Sequence, residues 1–246
     1  MAPADAGKTG KAVRFQPRPW PIAITVFVLA VLVALGTWQM YRLQWKTELI
    51  DWRDAQLAAP PAPLPATIAN DPEVFDTYRF RRVSVTGEFA HDKEIYLAGY
   101  LYKQVGFQVI TPVIRDGGQA VFVDRGWVPA SRRGPSSRAD GQDSGAVTVV
   151  GIARGPGEQG WFVPDNDAEK NYWFWRDIPA MAAAAGVDAV PLIVQLEKTQ
   201  NPGGLPIPSG EPITLRNDHL QYAITWYSLA VAVMVIFFLS QRRRVG

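Results

Sequence analysis

Asn217-Asp218-His219-Leu220-Gln221-Tyr222-Ala223-Ile224-Thr225-Trp226 opens the last apolar run of the chain, and its reading decides the fold. From Leu220 to Gln241 no residue is charged. At roughly 1.5 Å per residue such a run crosses a bilayer core of about 30 Å as a helix. A titratable imidazole at the mouth of a membrane helix is costly to place there, which makes His219 a functional candidate by default.

A second uncharged run, Pro19 to Tyr41 between Arg18 and Arg42, also spans. A signal peptide is its competitor, but the run is too long for an ordinary signal core and no Ala-x-Ala cleavage site follows, so an uncleaved anchor is expected. Lys8, Lys11, Arg14 and Arg18 precede the first run, and Arg242, Arg243 and Arg244 follow the second. The positive-inside rule then puts both tails in the cytoplasm and everything between the spans outside. That middle segment is large enough for a core of its own. The formal net charge of +2 argues against a nucleic-acid binder. Cysteine is absent, so there is no disulfide and no thiolate for metal binding or redox exchange.

The expected fold is a membrane protein of α+β class, two transmembrane helices flanking a mainly antiparallel β extracytoplasmic domain with a short helix. Trp38, Arg42, Trp45 and Leu49 recur at helical spacing, which carries helix 1 beyond the membrane as a stalk. The Pro-rich stretch from Ala59 to Pro65 ends it. From Tyr78 to Gly87 the alternation of Phe80, Val83 and Val85 with arginines reads as a half-buried strand. Further strands are expected at 94–98, 106–114, 120–124, 146–153 and 191–196, curling into a sheet or partial barrel. Ser131 to Gly145 reads by composition as a mobile loop, and a helix is expected from Asp177 to Ala185, stopped by Gly186. The organisation is thus a basic tail (1–18), helix 1 (19–41), its extension (42–58), a Pro-rich spacer (59–77), the β-rich domain (78–200), an irregular return (201–218), helix 2 (219–241) and a basic tail (242–246).

Several stretches together resemble the Surf1/Shy1 family of cytochrome c oxidase assembly proteins. They are Gly36 to Lys46, Tyr78 to Phe89, Val123-Asp124-Arg125-Gly126-Trp127-Val128-Pro129, Pro164-Asp165-Asn166 with Asn171 to Asp177, and Asn217 to Trp226, in that order. Asp124 departs from the pattern, which more often has Asn before Arg-Gly-Trp. The resemblance implies an integral membrane factor that helps install haem a in subunit I of an aa3-type oxidase, with haem a synthase as a further partner. It implies transient haem a binding, with the histidine that opens the second span, here His219, as axial ligand to the iron. The expected location is a bacterial inner membrane with a periplasmic central domain, an expectation that also leans on the absence of an evident transit peptide.

The residue types suit such a ring. A neutral imidazole nitrogen is a common axial ligand. Tyr222, Ala223 and Trp226 follow His219 at i+3, i+4 and i+7, two aromatic planes around a small residue. The outer end of helix 1 brings Gly36, for close helix approach, with Trp38, Gln39 and Arg42; Trp38 and Trp45 could pack on the ring. Arg42 and Arg216 are candidates to pair with propionates. The competing structural reading gives the aromatics to an interfacial belt, the arginines to lipid headgroups, and His219 to a helix cap. His91 reads as a solvated loop residue, and Arg125-Gly126-Trp127 as the end of a strand forming a domain corner.

Catalytic machinery is not legible. There is no Gly-x-Ser-x-Gly elbow, no Cys nucleophile, no His-Glu-x-x-His motif and no phosphate loop. Two functions therefore stand: a haem-handling chaperone, or a cofactor-free membrane scaffold for subunit I.

Overall fold

The computed structural model describes residues 13–15, 18–101, 103–197, 201–208 and 215–244. Lys8 and Lys11 of the first tail, the stretch 198–200, the return from 209 to 214 and the last two residues lie outside the described residues. The chain divides into two compact units, Met1–Asp51 with Thr214–Gly246, and Trp52–Ile213.

Helix α1 (Pro19–Ala58) runs without a break through the apolar stretch and the expected stalk, with its residues up to Asp51 in the first unit. Pro60 and Pro61 follow its last residue, where a ring without an N–H cannot continue the helix. The C-terminal apolar run begins its helix at His219 and ends at Ser240. Both helices are long and apolar enough to cross a membrane, with mean hydropathy of 2.3 and 2.1 over their most apolar stretches. Their large apolar side chains point outward, Val26 and Ile236 being 59% and 65% exposed, as lipid-facing residues should. Polar contacts and small residues mark a seam between the helices. The Arg18 backbone N–H donates to Gln241 Oε1 at 3.3 Å at one end, and Asn217 Nδ2 donates to Thr47 Oγ1 at 3.3 Å at the other, so the helices are antiparallel. Midway, Gly36 is buried where a Cβ would meet the Tyr227 ring at 2.7 Å, and Ala223 and Ala230 are buried on the facing helix. Small residues at these positions let the backbones approach.

In the second unit, Pro72–Tyr78 forms a short helix, α2, inside the segment expected as an extended spacer. Pro72 takes the first helical position, where its missing N–H costs nothing, and Asp71 O accepts from Phe75 N at 3.4 Å. Phe80 then turns the chain through a positive φ of 62°, so the first strand starts at Arg82 rather than Tyr78. The strands are β1 (Arg82–Phe89), β2 (Ile95–Leu101), β3 (Gln104–Ile114), β4 (Ala120–Pro129), β5 (Ala146–Arg154) and β6 (Ala189–Leu196). β1 pairs with β5, β5 with β6, β6 with β4, β4 with β3, and β3 returns to β1 at Phe89–Val113, which closes a five-stranded ring. Only the β4–β6 pairing in the ring is parallel, and β2 pairs with β3 along the same edge on which β3 meets β1. Val85, Val113, Val123, Val149 and Val194, one from each ring strand, share a cluster and therefore face the interior.

The opposite face of β3, β4 and β6 packs Ile110, Phe122 and Ile193 against Trp173 and Met181. Met181 belongs to α3 (Ile178–Ala185), whose start is capped by Asp177 Oδ1 accepting from Ala180 N at 3.1 Å and whose end is left-handed Gly186. With both faces covered, β4 is buried from Ala120 to Val128.

Candidate functional site

The chain brings its candidate residues together at the start of the C-terminal helix, α4 (His219–Ser240). Asp218 occupies the N-cap position but makes no cap bond there; its carboxylate pairs with the Arg216 guanidinium instead. His219, the first helical residue, turns to the seam, and its Nδ1 lies 2.7 Å from Gln39 Oε1. A carbonyl oxygen only accepts, so in the neutral imidazole this contact puts the proton on Nδ1 and the lone pair on Nε2. No described residue bonds Nε2. A fixed tautomer with its far nitrogen bare is what a metal-ligating histidine requires, and an acceptor on Nδ1–H raises the basicity of Nε2.

The flank of this contact follows from helical geometry. With the seam marked by Gly36, Gln39, Ala223 and His219, about 100° per residue puts Trp38, Arg42 and Trp45 on the same side of the antiparallel pair as Tyr222. Tyr227 falls on the other side, with Gly36 and Thr37, whose Oγ1 is 3.2 Å from the Tyr227 hydroxyl. Trp38 and Tyr222 are 53% and 55% exposed, while Trp226 is half-buried at the seam. The Arg42 guanidinium lies 4.4 Å over the Trp45 ring. An amphiphilic ring with carboxylate arms therefore meets here one nitrogen ligand, aromatic faces and a planar cation. Arg216 would have to release Asp218 to take part. The sequence places Gln39 at the outer end of helix 1 beside Trp38 and Arg42 but gives it no role; nothing in a lone Gln signals its partner 180 positions on.

A second polar cluster lies within the β domain, and here the structure corrects the sequence reading. Glu94 and Arg138 are buried and pair through both guanidinium nitrogens, Nη1 reaching Glu94 Oε1 at 3.1 Å. Arg138 sits in the Ser131–Gly145 stretch, which is therefore held against the barrel rather than loose; it forms 3-10 turns at Ala130–Arg132 and Pro135–Gly141. His91 is not a solvated residue either. Its Nε2–H donates to Asp143 O at 2.8 Å, and its Nδ1 lies 3.3 Å from Arg125 Nη1 and 3.6 Å from Glu94. Burial pushes the Glu94 carboxyl up, but the contacts with His91 and Arg138 outweigh it and hold the group below its ordinary value. The Tyr96 hydroxyl, donating to Glu94 at 3.0 Å, is pushed up to about 12 by burial and by the carboxylate.

Arg125-Gly126-Trp127 does not end its strand, which continues to Pro129. Arg125 is fully buried in this cluster and donates to Gly141 O. Gly126 lets the chain from Asn201 approach so closely that a Cβ would sit 2.1 Å from Ile207 O, and Trp127 exchanges backbone bonds with Ile207 at 2.7 and 2.8 Å. Asp124 beside it is buried, and burial pushes its carboxyl up to about 6 against the pull of the Gly126 N–H, Arg176 and Arg154. Among the described residues no group of three or more His, Asp or Glu side chains could hold a metal ion.

Residues 26–231 match the model of the SURF1 family. The chain is 36% identical over 230 residues to Surfeit locus protein 1 of Takifugu rubripes, covering 87% of this chain and 93% of that one. It is 35% identical over 232 residues to Surfeit locus protein 1 of Homo sapiens, covering 87% and 75%. A SURF1-like protein of Monosiga brevicollis is 37% identical over 229 residues, with 88% and 85% covered.

Proposed function

The chain belongs to the SURF1 family, and from that premise we propose that it is a membrane-embedded assembly factor for an aa3-type cytochrome c oxidase that carries haem a to subunit I. The role is one of holding and delivering rather than of catalysis. The observation that supports it is the His219–Gln39 contact, which fixes the imidazole with its Nε2 lone pair open. His219 would ligate the haem iron, Trp38, Tyr222 and Trp226 would cover the ring, and Arg42, with Arg216 once freed from Asp218, would pair with its propionates. The ring itself is cargo, received from a haem a synthase and handed on. Positive-inside charge supports a bacterial inner membrane with both tails cytoplasmic and residues 42–218 periplasmic.

The test is the colour of the purified protein after co-expression with the enzymes of haem a synthesis. Wild type should show a Soret band, and His219→Ala should lose haem roughly tenfold or more, since even the partners of a metal ligand act on that scale. The exposure of Trp38 and Tyr222 also suits a cofactor-free scaffold anchored by an aromatic belt. A colourless wild type that still co-purifies with subunit I would decide for the scaffold.

A further inference from the structure

Among the described residues of the β-domain unit, two neighbouring aromatic side chains stand almost wholly in solvent. Trp161 and Phe162 are 100% and 99% exposed, side by side at the tip of the loop between β5 and α3. Two such side chains offer roughly 150–250 Å² each for burial, and leaving both in water has a cost that a loop without a task would not carry. The tip is built. Val163 N–H donates to Gly160 O at 3.0 Å, closing a turn whose two central residues are the aromatics. Gln159 Nε2 braces it by donating to Val163 O and to Asp165 Oδ1, both at 3.0 Å. The base is tied to the body of the domain: Gly157 N–H donates to Arg176 O at 3.0 Å, and Asn166 Oδ1 accepts from Phe174 N at 2.8 Å. A turn held in this way loses little conformational freedom on binding, so the burial of its rings is retained as affinity.

From this geometry we infer that the Trp161–Phe162 tip is a docking element for a protein partner that presents an apolar cleft with Lys or Arg at its rim. The sign of the rim follows from the flanks of the loop. Between positions 158 and 170 stand Glu158, Asp165, Asp167 and Glu169 against one cation, Lys170, which is already paired with Asp167 at 2.6 Å. That surplus of acid is repelled by anionic lipid headgroups and drawn to a basic protein surface. The bilayer is therefore the disfavoured occupant. The identity of the partner rests on the proposed function, which makes it subunit I of the oxidase.

The full-length chain, affinity-tagged and co-expressed with subunit I and the haem a enzymes, tests this in three forms: wild type, Trp161→Ser/Phe162→Ser, and Glu158→Lys/Glu169→Lys. Anchor aromatics dominate binding energy, so the Ser variant should capture roughly tenfold less subunit I or below, and the Lys variant should also lose capture. Both should keep the thermal midpoint and the Soret band of wild type, because the altered side chains are exposed and none belongs to the set of residues around His219. Undiminished capture by the Ser variant would overturn the inference while leaving the proposed function intact. Failure of wild type itself to capture subunit I would overturn both. A third measurement covers the bilayer: in nanodiscs holding the chain alone, brominated lipid should remove the same absolute emission from wild type as from Trp161→Phe. Quenching that depends on Trp161 would place the tip in lipid and refute a protein partner.

Discussion

Asp124 carries the clearest consequence of burial at a single residue. Its folded value near 6 lies above the ordinary 3.8, so the native state binds a proton more readily than the unfolded chain. The sign follows directly: stability is highest below about pH 4 on this group's account, falls as pH rises through the window to 6, and stays reduced above it by about 3 kcal/mol. Asp124→Asn keeps the acceptor for Gly126 N–H at 3.0 Å and removes the buried charge. The variant should melt higher than wild type at pH 7 and lose the advantage near pH 4, as followed by near-ultraviolet circular dichroism of the full chain in detergent. The sequence marked Asp124 only as a departure from the pattern of the resembling family. That it is buried could not be read locally, because β4 is covered on both faces by segments far away in the chain, among them Trp173 and Met181.

Among the elements, periodicity was legible and pinning was not. Both apolar helices, the capped helix ending at Gly186 and most strands follow from spacing that any window of sequence displays. Pro72–Tyr78 does not, since a proline at the first helical position looks like one more residue of a Pro-rich spacer. The Ser131–Gly145 stretch has the composition of a free loop, yet one arginine, Arg138, holds it through Glu94. The Glu94 carboxyl is held below its ordinary value of 4.5, so its pairing stabilises above the unfolded value and is lost as pH falls through the lower, folded one. Arg138→Met takes the two-pronged partner from a buried carboxylate, leaving it the weaker contacts with His91 and Tyr96, and should cost about 3 kcal/mol at pH 7. The deficit should shrink as acid neutralises Glu94, and Glu94→Gln/Arg138→Met should recover much of it. Trypsin cleavage within 130–145 would report the release of the stretch; equal resistance of wild type and Arg138→Met would show that the pair does not hold it.

For the whole molecule, the two-helix plan and the β-rich segment between the helices follow from where charge is absent and where alternation begins. The closure of the ring does not, because the β1–β3 contact joins two residue pairs at the strand ends, Glu88–Ile114 and Phe89–Val113, and no local pattern announces it. The candidate site was legible as a list of residues at one depth; the Gln39 acceptor that orients His219 needed both helices in place. The measurement that bears most directly on the reading of that site is rescue of a vacated ligand position. His219→Gly, prepared with haem a supply, should lose the bound haem, and added imidazole should restore the Soret band of wild type by occupying the space of the missing ring. A His219→Gly protein that keeps its haem without imidazole, with an unchanged spectrum, would contradict His219 as the ligand.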